Sequence, residues 1–507
     1  MLARVMSHGL SGISGFPVAV EADLSGGLPA YDTVGLPDAA VRESRERVRA
    51  AVRNSGFTFP TAHITVSLAP AGMRKEGAVY DLPIAVALLA ASGQIPHDAA
   101  DGLVILGELA LDGTVRPVAG VLPMAISAYA EGCRAIAVPA GNAAETAYLR
   151  DLNVLPVESL AQLVEHLRGQ AAIEPCAPRD WSAAALTYGA DFSDIKGQQG
   201  AKRAAEVAVA GGHNLLMIGT PGSGKTMLAR SIPSILPELT LEEALEITKI
   251  HSVSGLTAGR GVVTERPFRA PHHGASAPAL VGGGTRALPG EISLAHLGVL
   301  FLDELPEFPR DVLEALRQPL EDGTVTVSRI AATVTYPAAF MLVAAMNPCP
   351  CGNAGSRTQP CRCTAAQVQR YRARISGPLL DRIDMQLEVT AVPVRQITES
   401  APEEPSEAIH ARVQAARRRQ QARYAGEGVS SNAELSARQL EQFCPLDDAC
   451  RELIGKACDK YNLSMRAVSR VRKVARTIAD LAGEENIGKA HILEALRYRN
   501  LEGNYWK

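Results

Sequence analysis

The sequence predicts an α/β chain with a mixed strand–helix N-terminal region, a parallel-sheet core and an all-helical end. Three observations predict it. Short β-rich runs alternate with helical ones over residues 1–170. From 191 to about 395, the apolar strand-like runs NLLMIGT, GVLFLDE and AAFMLVAAMN alternate with helices, the rhythm of a parallel sheet. Past an acidic, proline-containing break at 396–405 (QITESAPEEP), the pattern is helical through the Arg-rich stretch 411–424 and the final 464–500.

The individual elements follow from local pattern. AHITVSLAP (62–70) and GCRAIAVPA (132–140) read as strands, and DLPIAVALLAASG (81–93) reads as a buried helix. Residues 171–190 contain Pro175 and Pro178 without a clear period and read as a linker. The domains expected are therefore 1–170, then the linker 171–190, 191–395 and 396–507.

Bulk composition bounds the function. A chain of 507 residues has room for about three domains at ~100–200 residues each. Apolar residues at 47 % and charged residues at 21 % fit a globular protein with real cores. Aromatics at 4 % argue against broad base-stacking platforms. A net charge of −3 gives no global basic field. Any DNA contact has to come from a local patch or from a pore built by several subunits. MLARVMSHGLSGISGF lacks a basic-then-apolar leader, and no run of about 18 apolar residues suggests a membrane span. Nine cysteines, five of them scattered, fit a reducing cytoplasm better than a disulfide framework. The expectation is a cytoplasmic protein with no membrane partner.

GTPGSGKT (219–226) follows the apolar run NLLMI and matches G-x-x-x-x-G-K-[ST]. Backbone N–H groups of Gly219, Thr220, Gly222, Ser223 and Gly224 would line a phosphate cradle, with Pro221 in the same nucleotide-binding loop. Lys225 reaches the β- and γ-phosphates of ATP, and the Thr226 hydroxyl binds Mg²⁺. GVLFLDEL (298–305) delivers Asp303 and Glu304 to the C-terminal edge of a buried strand, where ligands sit in open α/β sheets. Asp303 would hold Mg²⁺ and Glu304 would polarise the attacking water. Asn347 ends the next apolar strand. A terminal Asn is otherwise a turn former, but behind the second motif a water-positioning sensor is favoured. In DFSDIKGQ (191–198), Ile195 offers an apolar contact for a base.

At these residues the chain resembles the ComM/YifB group of magnesium-chelatase-like AAA+ ATPases over essentially its full length. The carrying stretches are GLPDAAVRESRERVRAAVRNSGF, LAPAGMRKEGAVYDLPIAVALLAASGQI, PGSGKTMLARSIPSILP, RPFRAPHHGASAPALVGGG, PGEISLAHLGVLFLDELPEF and ISGPLLDRIDMQLEV. The resemblance implies an AAA+ P-loop ATPase core, a C-terminal helical lid and a homo-hexameric ring with nucleotide between subunits. Arg382 matches the family's arginine-finger position, a role worth 10³–10⁵ in rate when supplied in trans. Arg466 matches the second sensor arginine of the lid, and Arg470, one helical turn on, competes for it. Residues 1–170 resemble the Lon-protease fold through KEGAVYDLPIAVALL and ILGELALDGTVRPVAGVLPMAISAY. Where that fold needs a Ser nucleophile and a Lys base, this chain aligns Asp81 and Met124, so no peptidase activity is expected.

Four cysteines crowd behind Asn347 in NPCPCGNAGSRTQPCRC: Cys349, Cys351, Cys361 and Cys363. Their C-x-C pairs are tighter than a usual zinc knuckle. The expectation is a Zn²⁺ clip that closes the loop leaving Asn347, with reduced structural thiols or two disulfides as the alternatives. Arg357 and Arg362 in that loop would face a partner. His272 and His273 in RAPHHG do not share a helix face and read as structural or nucleotide-coupled rather than metal-binding.

LVGGGTRALPG (280–290) is too Gly-rich for a packed helix and matches a loop of this AAA+ branch. GTVTVSRIAATVTY (323–336) alternates as a hairpin does. Arg286 and Arg329 would sit at their tips, either as solvated arginines or, repeated around a ring, as a phosphate-binding collar. ARRRQQAR (416–423) reads as a solvated helix face. The family implies a DNA motor acting on single-stranded and branched DNA, that is, a helicase for branch migration. The rival is a metallochelatase-type ATPase that remodels a protein partner.

Overall fold

The computed structural model describes residues 1–182, 189–257, 260–284, 287–328, 333–356, 359–392, 403–461, 463–499, 501 and 505–506. Arg286, Arg329 and Arg357 lie outside the described residues. The chain divides into two compact units. One comprises Met1–Ser182, Thr240–Thr264 and Ile330–Tyr336; the other comprises Ala183–Leu239, Glu265–Arg329 and Pro337–Lys507.

The first unit is built on a mixed seven-stranded sheet. Its spatial order is Ala30–Val34, His63–Ala69, Ser14–Ser25, Leu2–Ser11, Leu103–Ile105, Ala135–Pro139, Asn153–Val157. The two longest strands pair antiparallel from Leu2↔Asp23 to Ser11↔Ser14. Strands at 62–70 and 132–140 form as their alternation predicts, as His63–Ala69 and Ala135–Pro139. Two helices show how composition sets burial. Ala39–Asn54 is capped by Asp38, whose side chain accepts from Val41 N at 2.8 Å. It buries Val41, Ser44, Val48, Ala51 and Val52, one stripe at helical spacing. Asp81–Ala91 is apolar on every face after its first residue, and all eleven residues are buried. Residues after 170 remain attached to this unit: Ile173 is in its core, and Cys176 N donates to Val154 O.

The second unit carries a five-stranded sheet in the order Phe268–Arg269, Val299–Leu302, Met341–Met346, Leu215–Ile218, Met385–Glu388. Every pairing in it is parallel. Three strands, Leu215–Ile218, Val299–Leu302 and Met341–Met346, are buried along their whole length. That is the signature of a parallel sheet covered on both faces. Their C-terminal ends point the same way, so Gly219, Asp303 and Asn347 all leave at one edge.

The C-terminal part is helical, as expected: Ser406–Arg423, Ala437–Phe443, Asp448–Tyr461, Met465–Ala482 and Lys489–Arg497. The arginine-rich stretch is only partly the solvated face that its charge suggests. Gln420 is buried and donates to Ala210 O, and Arg423 grips the buried Asp480 at 2.5 and 3.1 Å. That guanidinium is drawn inward by a carboxylate that burial would otherwise leave uncompensated. Of the two segments expected to project, 280–290 runs from the helix Ala277–Val281 into a short antiparallel pair, Gly282–Gly283 with Leu288–Pro289. The second provides strands Thr324–Ser328 and Thr333–Pro337. No helix among the described residues is long and apolar enough to cross a membrane.

Candidate nucleotide site and cysteine cluster

The phosphate-loop sequence folds as its glycines require. Gly222 and Gly224 sit at φ +74° and +91°, the left-handed region that a side chain would strain. Gly219 has no room for a Cβ, which would lie 2.2 Å from Val389 O. The helix Lys225–Ser231 follows at once. Lys225 Nζ turns back into the loop and donates to Gly219 O at 2.8 Å, Thr220 O at 3.0 Å and Asn347 Oδ1 at 3.4 Å. Burial lowers its pKa, opposed by the charge of Asp303. The Thr226 hydroxyl donates to Asp303 Oδ2 at 2.7 Å. Two cis ligands of an octahedral Mg²⁺ with 2.0–2.1 Å bonds stand about 2.9 Å apart, so this hydroxyl–carboxylate pair fits such an ion.

Glu304 adopts φ +53°, which is costly for a non-glycine residue, and Glu304 N donates to Asp303 Oδ1 at 2.9 Å. The side chain lies exposed, with His273 Nδ1 3.2 Å from Glu304 Oε2. The ring of His273 lies against that of His272 at a 4.0 Å centroid separation, tilted by 35°, and His272 Nδ1 accepts from Gly274 N at 3.0 Å. The histidine pair thus meets the acidic motif through His273 alone.

The structure therefore joins Lys225 to Asn347 and the adjacent Thr226 to Asp303 by hydrogen bonds, with Glu304 next to Asp303. Ile195 lies apart from these hydrogen bonds, 3 % exposed within the second unit's core. Sequence reasoning overlooked Gln198, at the end of the same DFSDIKGQ stretch. Gln198 has φ +55°, and its amide donates to Ser223 O at 2.9 Å and Thr390 O at 2.6 Å, bracing the phosphate loop from behind.

Three family profiles match: "Magnesium chelatase, subunit ChlI" over residues 191–397, "Subunit ChlI of Mg-chelatase" over 20–142, and "Magnesium chelatase, subunit ChlI C-terminal" over 403–499. An uncharacterized protein YifB of Escherichia coli strain K12 is 44 % identical, covering 99 % of this chain and 97 % of its own. Competence protein ComM of Haemophilus influenzae is 44 % identical over 98 % of this chain and 97 % of its own. The chain belongs to the ComM/YifB family of magnesium-chelatase-like AAA+ ATPases. A magnesium-chelatase 67 kDa subunit of Chlorobaculum tepidum is 30 % identical over 31 % of this chain and 23 % of its own. The mixed α/β core and helical C-terminal region fit that family's fold, and membership implies ATP and Mg²⁺.

Within this ComM/YifB chain the arginines have distinct surroundings. Arg382, 14 % exposed, pairs with Glu321 and donates to Pro378 O at 2.8 Å. None of its hydrogen bonds among the described residues goes to the phosphate loop. Arg470 is committed to Asp384, with Nε 3.2 Å from Oδ1. Burial would raise the Asp384 pKa, but His213, Arg470 and the Asn214 N–H hold it down to about 2. Arg466 lies exposed in the first turn of Met465–Ala482, a helix capped by Ser464.

The four loop cysteines converge, with all sulfurs within 4.8 Å of one another. Cys349 Sγ is 3.4 Å from Cys351 Sγ and 3.7 Å from Cys361 Sγ. Backbone N–H groups of Arg362 and Asn353 lower the pKa of Cys351 to about 6, whereas burial and the neighbouring thiols push those of Cys361 and Cys363 up. Arg362 lines an open cavity of about 480 Å³ beside Cys351 and Cys363, together with Arg370 and Arg374.

Proposed function

We propose that the chain is an ATP-driven ring motor on DNA that promotes branch migration of recombination intermediates, as in natural transformation. The observation that carries the ATPase part is the convergence of Lys225, Thr226, Asp303 and Asn347 at one edge of the parallel sheet. Full-length similarity to a protein named for competence supports the DNA part. In this reading, residues 1–170 are a Lon-protease-like domain without a Ser/Lys dyad, and 171–190 a linker. Residues 191–395 are the AAA+ core with a four-cysteine insertion at 349–363, and 396–507 the lid.

Lys225 and the loop amides would hold the phosphates, Thr226 and Asp303 would hold Mg²⁺, and Glu304 would orient the attacking water with Asn347. Ile195 would back the base. Arg382 would leave Glu321 to reach the nucleotide of a neighbouring copy in a homo-hexamer. Arg466 rather than Arg470 would serve as the lid sensor, because Arg470 is already held by Asp384. Arg286 and Arg329 would touch DNA from loops at the pore. The cysteine cluster would hold Zn²⁺. The second reading, a metallochelatase-type motor remodelling a protein partner, rests on the magnesium-chelatase profiles and the Chlorobaculum subunit.

The deciding experiment is strand exchange on a synthetic branched DNA junction by the purified protein, with and without ATP, beside Lys225→Ala. ATP-dependent resolution that vanishes in the variant is expected. ATP hydrolysis that proceeds without strand movement and ignores DNA would move the assignment to a protein-remodelling ATPase.

A further inference from the structure

We propose that the Cys349–Cys351–Cys361–Cys363 cluster is a metal-operated brace of the phosphate loop, so that Zn²⁺ occupancy sets nucleotide affinity. The inference rests on the ATP-binding part of the function proposed above and goes beyond it, to regulation of that site. A tetrahedral ion with Zn–S bonds of about 2.3 Å places its sulfurs ~3.8 Å apart. The separations of 3.4, 3.7 and 3.7 Å among Cys349, Cys351 and Cys361 match that edge, with Cys363 inside the same 4.8 Å group. Ala354 N points at Cys349 Sγ at 3.3 Å, the kind of outer hydrogen bond that orients a thiolate ligand.

The contact that transmits the effect is Gly352, between two of the ligands. Its φ is +80°, and its N–H closes a tight turn onto Cys349 O at 2.9 Å. A Cβ placed there would lie 2.6 Å from Pro221 Cγ and 2.7 Å from Pro221 Cδ. The backbone of the metal loop therefore rests directly on the phosphate loop, with no space for one methyl group. A second route runs through the chain itself. Asn347, two residues before Cys349, accepts from Lys225 Nζ, and the intervening Pro348 O is fixed by Arg372 at 3.3 and 3.4 Å and by the Tyr505 hydroxyl at 3.5 Å. A bound ion fixes this turn, because metal binding supplies ordering free energy that so short a loop cannot draw from a core. Without the ion, the turn behind Pro221 loses its anchor, and the exit of Asn347 keeps only the bonds of Arg372 and Tyr505 to Pro348 O. The cluster thus makes nucleotide binding depend on zinc supply and on thiol reduction.

The test uses the full-length chain. Zinc per chain is measured by elemental analysis, and binding of a fluorescent ATP analogue is followed in excess Mg²⁺ without DNA. Both are repeated after a zinc-selective chelator, after zinc return, and in Cys361→Ser and Gly352→Ala. One zinc per chain is expected, lost on chelation and in Cys361→Ser. Misplacing the phosphate loop should weaken nucleotide binding by about tenfold or more, and zinc should restore it in the chelated wild type. Gly352→Ala should keep its zinc and still bind nucleotide at least about tenfold more weakly, since it pushes the two loops apart. Absence of zinc overturns the metal site and the inference with it. Stoichiometric zinc, with unchanged nucleotide affinity on removal and in Gly352→Ala, overturns the coupling while the metal site stands. If the chelated chain unfolds, Gly352→Ala alone decides. Nucleotide binding that responds as expected, in a protein that moves no DNA strand, leaves this inference intact and removes only the DNA motor.

Discussion

Asp81 in the first unit and Asp303 in the second both sit where a strand-rich fold presents a helix or strand end, yet their surroundings differ sharply. Asp81 is 0 % exposed, and Arg47 grips both of its oxygens at 2.6 and 3.0 Å, with Leu109 N adding a third bond at 3.3 Å. Asp303 is only half-buried, and its partners are the Thr226 hydroxyl and the N–H of Glu304. A carboxylate whose lone pairs are spent inside the protein holds structure. One at an open sheet edge, beside an ammonium and a hydroxyl, retains capacity for an incoming cation and phosphate. The position expected to align with a Lon-type nucleophile is thus held in an internal ion pair, whereas Asp303 and Glu304 remain accessible at the edge of the second unit's sheet.

The largest effect that would break this comparison is the loss of Arg47. Arg47→Ala strands Asp81 inside the first unit and should cost roughly 3–5 kcal/mol by denaturant unfolding, less whatever Asp81 recovers by taking up a proton. Nucleotide affinity, measured on the folded variant, should not change. A negligible stability loss would mean that Asp81 is not structural. Next comes Glu304→Gln, which should lower the ATP hydrolysis rate by about 10²–10³-fold while leaving ATP binding within a few-fold and unfolding unchanged. Phosphate release alongside nucleotide binding checks it, and equal loss of binding would reassign Glu304 to ground-state contacts.

The smallest effect is in pH. Burial, outweighing Arg47, pushes the Asp81 pKa from 3.8 up to about 6. The folded state therefore binds the proton more tightly than the unfolded chain. The stability this contributes is fully present below about pH 4 and is lost as pH rises through about 6. The change is of the order of 3 kcal/mol or less. Comparing unfolding curves of wild type and Asp81→Asn between pH 4 and 7 isolates it. The wild type should lose stability relative to the variant as pH rises, and parallel curves would rule the shift out.

Much of the fold is legible in the sequence because burial on both sides demands continuous apolar runs. LLMI, VLFL and MLVAAM could be read as strands, and the helix 81–91 as buried, without any tertiary information. The phosphate loop is equally legible, since its glycines are required by backbone conformation and its Lys and Thr by phosphate and Mg²⁺. What escaped has no local signature. Arg47 finds Asp81 across 34 residues, and Asn214 finds Asp384 across 170. Gln198 stood in a stretch already singled out, but the apolar Ile195 drew the base-binding role while the amide's reach to Ser223 could not be foreseen. The arginines of 416–423 looked solvated because one partner, Asp480, lies far along the chain.

The sequence by itself determined which groups could bind phosphate, Mg²⁺ and a thiophilic metal, because those chemistries need fixed residue types at short spacing. Only the tertiary structure set Arg466 apart from Arg470. Four residues apart, they share one helix face and are equivalent to any local pattern. Packing of Met465–Ala482 brings Arg470 onto the buried Asp384, where its charge offsets that of a desolvated carboxylate, and leaves Arg466 in the open first turn.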